Sequence, residues 1–115
     1  MVLGNSILIK QAESTPRSAV IIEELFREAG FGKGEFTNLF VSHAQCEQLI
    51  ADRRVRAVKF TGSSDAGKKV AALCGKHMKK GCFELGGNDP FVVLKEANID
   101  LAVEKAYVSR MAANG

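Results

Sequence analysis

The sequence predicts an α/β fold, in which an incomplete Rossmann-like parallel sheet is covered by helices in a three-layer αβα arrangement. Short apolar segments alternate along the chain with segments of about ten or more residues that have helical periodicity. Such alternation is typical of βαβ units, whose strands pair in parallel. The sequence contains no internal repeat and no Pro/Ser-rich linker, so we expect a single domain over residues 1–115.

The first half of the chain is predicted to hold two strands, each followed by a helix. A strand over residues 6–10 precedes a helix with Thr15 as N-cap and Pro16 at its first position. A second strand, over residues 36–41, precedes a helix that begins at Ser42. Ser with Gln three residues later is a capping-box pattern, which supports this start.

The second half is predicted to continue the alternation. A strand over residues 55–60 leads into a helix that Gly75 ends. Further strands are expected over residues 81–85 and 91–94, and Asp100 is the expected N-cap of a last helix. The first strand starts almost at Met1 and the last helix shows no stop signal, so we expect a sheet with an unpaired edge that associates into a homo-oligomer.

Composition excludes several classes of protein. The chain has 115 residues, 46% of them hydrophobic, a net charge of +3, and no apolar run long enough to span a bilayer. We expect no secretory signal and a cytoplasmic location. Three cysteines without CxxC spacing and only two histidines predict no metal site. Basic residues without interleaved aromatics or an RNA-binding motif argue against nucleic-acid binding.

The stretch FTGSSDAG is a candidate phosphate site. Its Gly62 and Ser63 lie where a strand turns into a helix, and Gly67 lies in the first helical turns. Free N–H groups at a helix start bind phosphate, although an ordinary strand–helix turn also explains a Gly and a Ser. A P-loop is not expected, because Lys69 occupies the position of the hydroxyl that binds Mg²⁺.

The stretch KQAES is a second candidate site, because it follows the first strand at the edge where α/β sheets bind ligands. Lys10 donates and Glu13 accepts hydrogen bonds, which suits the vicinal hydroxyls of a ribose. A solvated turn is the alternative interpretation of this pair.

The stretch GCFELGG places a carboxylate, Glu84, within an apolar strand. A carboxylate that is partly buried at the sheet edge suits a general base, and an ion pair with a nearby lysine is the equal alternative. Cys82, two residues earlier, is expected to be a small buried thiol rather than a nucleophile.

Four stretches, in this order, resemble motifs of the NAD(P)-dependent aldehyde dehydrogenase superfamily: IKQAESTPRSA, REAGFGKGEFTNLF, VKFTGSSDAG and FELGGNDPFVV. The resemblance covers essentially the whole chain, and the wording is most similar to the succinate-semialdehyde dehydrogenase branch. It implies that residues 1–115 are part of an NAD(P)-binding domain, truncated at both ends relative to the family.

The resemblance also implies roles for individual residues and for the cofactor. Glu84 matches the family's general base, and Leu85 matches a residue whose backbone lies near the nicotinamide. A Glu at position 13 is similar to members that prefer NAD to NADP, because a carboxylate repels the 2′-phosphate. The positions matching the cofactor-binding residues are Lys10 and Glu13 at the adenosine ribose, and Gly62, Ser63 and Gly67 at the pyrophosphate.

The family's nucleophilic cysteine has no counterpart in this sequence, where Asn114 and Gly115 match at most the approach to it. In the family that thiol is acylated by a small aldehyde, which is oxidised to a carboxylic acid. We therefore expect the isolated chain not to oxidise aldehydes. The alternative hypothesis is a stand-alone nucleotide-binding or oligomerising module without catalysis.

Overall fold

A computed structural model describes residue 1 and residues 3–112 of the chain; Asn114 and Gly115 lie outside the described residues. Strands and helices alternate throughout, so the predicted α/β class is confirmed. In chain order the elements are β1 (Ile7–Ile9), α1 (Pro16–Glu28), β2 (Phe36–Asn38), α2 (His43–Ala51), β3 (Ala57–Thr61), α3 (Ser64–Lys76), β4 (Lys80–Glu84) and α4 (Ile99–Met111).

All strand pairing in the described residues is parallel and forms two short sheets. β1 pairs with β2, and the register brings Ile9 opposite Asn38. β3 pairs with β4, and here Thr61 lies opposite Glu84. Because both pairs are parallel, their carboxyl ends meet at one edge of each sheet, which is where ligands of α/β proteins bind.

Two helix starts are formed as predicted. Pro16 is the first residue of α1, with Thr15 before it. Ser42 caps α2 through a complete capping box, in which its Oγ accepts a hydrogen bond from the Gln45 N–H at 3.3 Å. In return the Gln45 side-chain oxygen accepts from the Ser42 N–H at 2.8 Å. Such a cap contributes about 1 kcal/mol and sets where the helix begins.

Several predicted boundaries were wrong. Residues 91–94 run outside any strand in the described part of the chain, because no neighbouring strand pairs with them. The last helix is capped by Asn98, whose Oδ1 accepts from the Leu101 N–H at 3.0 Å, so Asp100 lies inside the first turn. Gly75 lies within α3 rather than at its end, and β2 stops at Asn38.

Helices pack on one side of each sheet. α1 lies against β2, while α3 lies against both β3 and β4 and also contacts α2. The buried apolar side chains among the described residues are Ala19, Phe36, Ile50 and Cys74, contributed by these packed elements. Apolar burial is therefore limited to small contacts beneath the helices. The described helices include none that is long and apolar enough to cross a membrane.

The Lys79 side chain links the residue before β4 to the segment that precedes β3. Its Nζ donates hydrogen bonds to the backbone oxygens of Asp52 and Val55, both at 2.7 Å. The Asp52 carboxylate in turn accepts two bonds from the Arg54 guanidinium, at 3.0 and 2.7 Å. Hydrogen bonds from Arg54 and the nearby charge of Lys79 hold the pKa of Asp52 far below its usual range.

Candidate functional site

The sequence-predicted site residues fall into two groups at the carboxyl ends of the two sheets. Lys10 and Glu13 follow β1, beside the residues that follow β2. Gly62 and Ser63 follow β3, beside Glu84 at the end of β4. The parallel pairing brings the members of each group together, as the edge rule for α/β sheets predicts.

The first group surrounds an open cavity of about 270 Å³. The turn after β1 forms one wall and the segment after β2 forms the other. The lining residues are Lys10, Gln11, Ala12, Glu13, Pro16, Asn38, Leu39, Phe40, Val41 and Ser42. The cavity is slightly smaller than typical small-molecule sites. We refer to it as the β1–β2 cavity.

Asn38 is a polar residue of the β1–β2 cavity that the sequence reasoning missed. Its N–H donates to Glu23 Oε2 at 3.0 Å, which ties the end of β2 to α1. Its side-chain Oδ1 is buried and has no hydrogen-bond partner in the described residues. A buried acceptor without a donor is unfavourable by about 1–3 kcal/mol. In the sequence, the signal that could have identified Asn38 is its position at the end of β2, the strand that pairs with β1.

The second group is built around the turn from β3 into α3. The Gly62 N–H donates to the Glu84 backbone oxygen at 3.1 Å, which fixes the turn against the end of β4. Ser63 is the N-cap of α3 and accepts from the Ala66 N–H at 3.3 Å. The first N–H groups of a helix have no partner within the helix, so this turn presents donors at the sheet edge.

Gly67 and Leu85 are in direct contact across this turn. Gly67 is buried in α3, and a β-carbon there would lie 3.0 Å from Leu85 Cδ1 and 3.3 Å from its Cγ. A larger residue at position 67 would require the half-exposed Leu85 side chain to move. Packing of the first turns of α3 on β4 therefore depends on these two residues.

Glu84 is exposed at the end of β4, so the expected partial burial of its carboxylate was wrong. Alternate residues of a strand face opposite sides, and Glu84 shares the uncovered face with its register partner Thr61. No ion pair to Glu84 is formed within residues 3–112, which leaves its carboxylate accessible to a reactant.

Cys82 lies on the same face and is exposed, so the expectation of a buried thiol was also wrong for this residue. The thiol that is buried is Cys74 on α3, and burial raises the pKa of its side chain. Across the described residues, no three His, Cys, Asp or Glu side chains come close enough together to hold a metal ion.

The sequence matches the aldehyde dehydrogenase family over residues 1–115, which is the full length of the chain. The chain belongs to this family. The alternation of strands and helices and the two sheet edges described above are thus those of an aldehyde dehydrogenase segment.

Curated relatives of this aldehyde dehydrogenase segment are much longer than it is. It is 45% identical to a succinate-semialdehyde dehydrogenase [NADP(+)] from Deinococcus radiodurans, over all of this chain and 24% of the relative. It is 40% identical to a probable succinate-semialdehyde dehydrogenase [NADP(+)] from Synechocystis, over all of this chain and 25% of that protein. The chain spans about a quarter of the length of these relatives.

Solved structures confirm the Rossmann-like fold of the aldehyde dehydrogenase segment. A succinic semialdehyde dehydrogenase from Streptococcus pyogenes, solved with NADP+ as the cofactor, is 46% identical. It has a TM-score of 0.85, over 96% of this chain and 24% of that one. An NAD-dependent benzaldehyde dehydrogenase from Corynebacterium glutamicum is 36% identical, with a TM-score of 0.79 over 91% of this chain and 24% of the other.

Proposed function

We propose that this aldehyde dehydrogenase segment forms part of a domain that binds a nicotinamide dinucleotide. We propose further that the protein containing it acts on succinate semialdehyde. The observation that carries the proposal is the β1–β2 cavity, which a cation and a carboxylate, Lys10 and Glu13, both line at the carboxyl edge of a parallel sheet. The names of the relatives support succinate semialdehyde as the substrate, since both curated relatives described above are named as succinate-semialdehyde dehydrogenases.

The polar groups of the β1–β2 cavity suit the adenosine half of the cofactor. In this proposal Lys10 donates to the ribose and Glu13 accepts from its hydroxyls. Phe40, which is 70% exposed, offers an apolar surface to the adenine ring. A cation, a carboxylate and an exposed aromatic ring thus line one cavity, so the residues present fit the group.

The start of α3 suits the pyrophosphate. Gly62 and Ser63 lie at the turn, and Gly67 lets the helix approach β4. The nearest carboxylate on the helix, Asp65, is 91% exposed and lies 3.6 Å from Lys68 Nζ, which offsets its charge. Backbone N–H groups and the positive end of the helix dipole then favour an anion at this turn.

We assign Glu84 and Leu85 to the nicotinamide end of the site, where the bound cofactor would accept a hydride. In this proposal the accessible Glu84 carboxylate takes a proton from the water that attacks the acylated enzyme. The thiol that carries the acyl group has no counterpart in this sequence, because the resemblance matches Cys82 to a strand position of the family and not to its nucleophile. We therefore propose that the 115-residue chain alone does not oxidise aldehydes.

The choice between NAD and NADP depends on Glu13. Its carboxylate would repel the 2′-phosphate of NADP, whereas Lys10 in the same cavity would attract it. The curated relatives described above have NADP(+) in their names. We propose that both dinucleotides bind, NADP being favoured as in those relatives, and that Glu13 limits that preference.

Calorimetric titration of the chain with ADP-ribose, NAD and NADP tests this proposal. Lys10→Met should weaken all three at least about tenfold, because the cation is lost from the cavity. Glu13→Gln should shift the ratio of NADP to NAD affinity about tenfold toward NADP, the equivalent of about 1.4 kcal/mol. Lys33→Met is the matched control, since Lys33 lies outside the β1–β2 cavity. Equal losses in Lys10→Met and Lys33→Met would reject the site.

A further inference from the structure

Gln11 lines the β1–β2 cavity and is not among the groups proposed above to bind the cofactor. It directly follows Lys10 and precedes Glu13 by two residues, and all three residues line the cavity. A glutamine carboxamide offers N–H donors and an oxygen acceptor without carrying a charge. None of the side-chain hydrogen bonds within the described residues involves Gln11, so its amide is available to a ligand.

The charges that line the β1–β2 cavity cancel in number. Lys10 is a cation and Glu13 is a carboxylate, and the other lining residues are uncharged. A 2′-phosphate on the ribose is thus attracted by one side chain and repelled by the other. The preference between a 2′-hydroxyl and a 2′-phosphate then depends on how exposed each charge is, and on the uncharged donors beside them.

The turn after β1 places these side chains at different depths. The Thr15 N–H donates to the Ala12 backbone oxygen at 3.0 Å, which closes a turn with Glu13 at its tip. Glu13 is exposed there, whereas Lys10 and Gln11, which lie nearer to β1, are half-buried. Water and salt screen exposed charges most strongly, so the repulsion from Glu13 is weakened more than the attraction to Lys10.

The backbone just before Gln11 is tied to the sheet. The Leu39 N–H donates to the Ile9 backbone oxygen at 2.8 Å, which extends the parallel pairing of β1 and β2 beyond its last residue pair. Gln11 follows Ile9 by two residues. Because its backbone starts from a fixed point, less conformational entropy is lost when its side chain binds a ligand than in a free loop.

The other uncharged polar residues of the cavity differ from Gln11. Ser42 uses its hydroxyl and its N–H in the capping box with Gln45. Asn38 is the last residue of β2 rather than part of the turn after β1, and its N–H is used in the hydrogen bond to α1. Gln11 is therefore the uncharged donor that lies on the same wall as Lys10.

We propose that Gln11 determines how well the β1–β2 cavity accepts a 2′-phosphate, an inference that rests on the proposed function of this cavity. With NADP, the Gln11 amide donates to a phosphate oxygen beside Lys10 and offsets the repulsion from Glu13. With NAD, the same amide bonds the uncharged 2′-hydroxyl. A hydrogen bond to a charged group is roughly twice as strong as one between neutral groups, so Gln11 favours NADP.

Two nucleotides that carry only the adenosine half of the cofactor, 5′-AMP and adenosine 2′,5′-bisphosphate, test this inference. Calorimetric titration of the chain gives the dissociation constant of each. Gln11→Met keeps the length of the side chain but removes its donors. It should weaken binding of the bisphosphate at least about tenfold and binding of 5′-AMP only about threefold.

Gln11→Glu is the second variant, because it keeps the shape of the side chain and adds a charge that repels the 2′-phosphate. It should weaken binding of the bisphosphate at least about 30-fold and that of 5′-AMP no more than about threefold. Gln48→Met is the matched control, since Gln48 is exposed on α2 and lies outside the cavity. It should leave both affinities unchanged, and thermal unfolding should show that all three variants are folded.

A shift in the ratio of the two affinities in both Gln11 variants, without a shift in Gln48→Met, supports the inference. Equal losses for the two nucleotides in Gln11→Met would overturn it and leave the proposed function intact. So would an unchanged ratio in Gln11→Glu, or the same shift in the control. A wild-type chain that binds neither nucleotide would instead remove the proposed function, and this inference with it.

Discussion

Gly67 in α3 and Leu85 after β4 occupy adjacent space so closely that a β-carbon on residue 67 would overlap the leucine side chain. The contact joins a residue matched to the cofactor's pyrophosphate with one matched to its nicotinamide end. In the proposed dinucleotide site this contact lies between the positions assigned to the pyrophosphate and to the nicotinamide.

Gly67→Ala should stabilise the chain less than an unhindered alanine does. Alanine favours a helix by about 0.5–1 kcal/mol over glycine, but the half-exposed Leu85 side chain must shift to make room for the methyl group, which offsets part of that gain. Urea unfolding measures the net change. Gly75→Ala is the control, because it lies in the same helix with open space around it and should stabilise by about 0.5–1 kcal/mol. If both alanines stabilise the chain equally, the Gly67–Leu85 contact has no energetic role.

Lys79→Met should lower the free energy of unfolding by about 1.5–3 kcal/mol. The variant keeps the length of the side chain but loses both charged hydrogen bonds to the oxygens of Asp52 and Val55. Thermal or urea unfolding gives the difference. Lys80→Met is the matched control, since the exposed Lys80 side chain forms no hydrogen bond within the described residues and should change stability by less than about 0.5 kcal/mol.

Asp52→Asn should make the stability of the chain depend less steeply on pH in the acid range. The pKa of Asp52 is lowered in the folded chain, so its ionised form is favoured by folding. That contribution is fully present above the unfolded pKa of about 4 and is lost as the pH falls toward the folded pKa. Melting temperatures between about pH 5 and 2 should therefore fall less steeply in Asp52→Asn than in the wild-type chain. Parallel curves would show that the Asp52–Arg54 pair does not contribute.

Glu23→Ala should destabilise the chain by about 1–2 kcal/mol, because it removes the acceptor for the half-buried Asn38 N–H. Glu24→Ala is the control on the next position of α1, where the carboxylate is exposed and receives no hydrogen bond in the described part of the chain. Unfolding in urea should separate the two variants by at least about 1 kcal/mol. Similar values for both variants would mean that water replaces Glu23 as the acceptor for the Asn38 N–H.

Local signals in the sequence predicted the elements that depend on local chemistry. The Ser42 capping box and the Pro16 start were found where the residues indicated them, because a cap involves groups only three residues apart. The strand over residues 91–94 was wrong because an apolar run does not reveal whether a neighbouring strand is present to pair with it. The prediction of Asp100 as the cap was wrong because Asn98 is an equally good capping residue, and only the backbone shows where the helix begins.

The sequence alone determined the α/β class, the parallel pairing implied by it, and the family, because periodicity and ordered motifs are properties of the chain itself. Only the tertiary structure decided that Asn38 joins Lys10 and Glu13 in one cavity, and that Glu84 and Cys82 are exposed. Those outcomes depend on register and on which faces the helices cover. Both are set by contacts between residues that are distant in sequence.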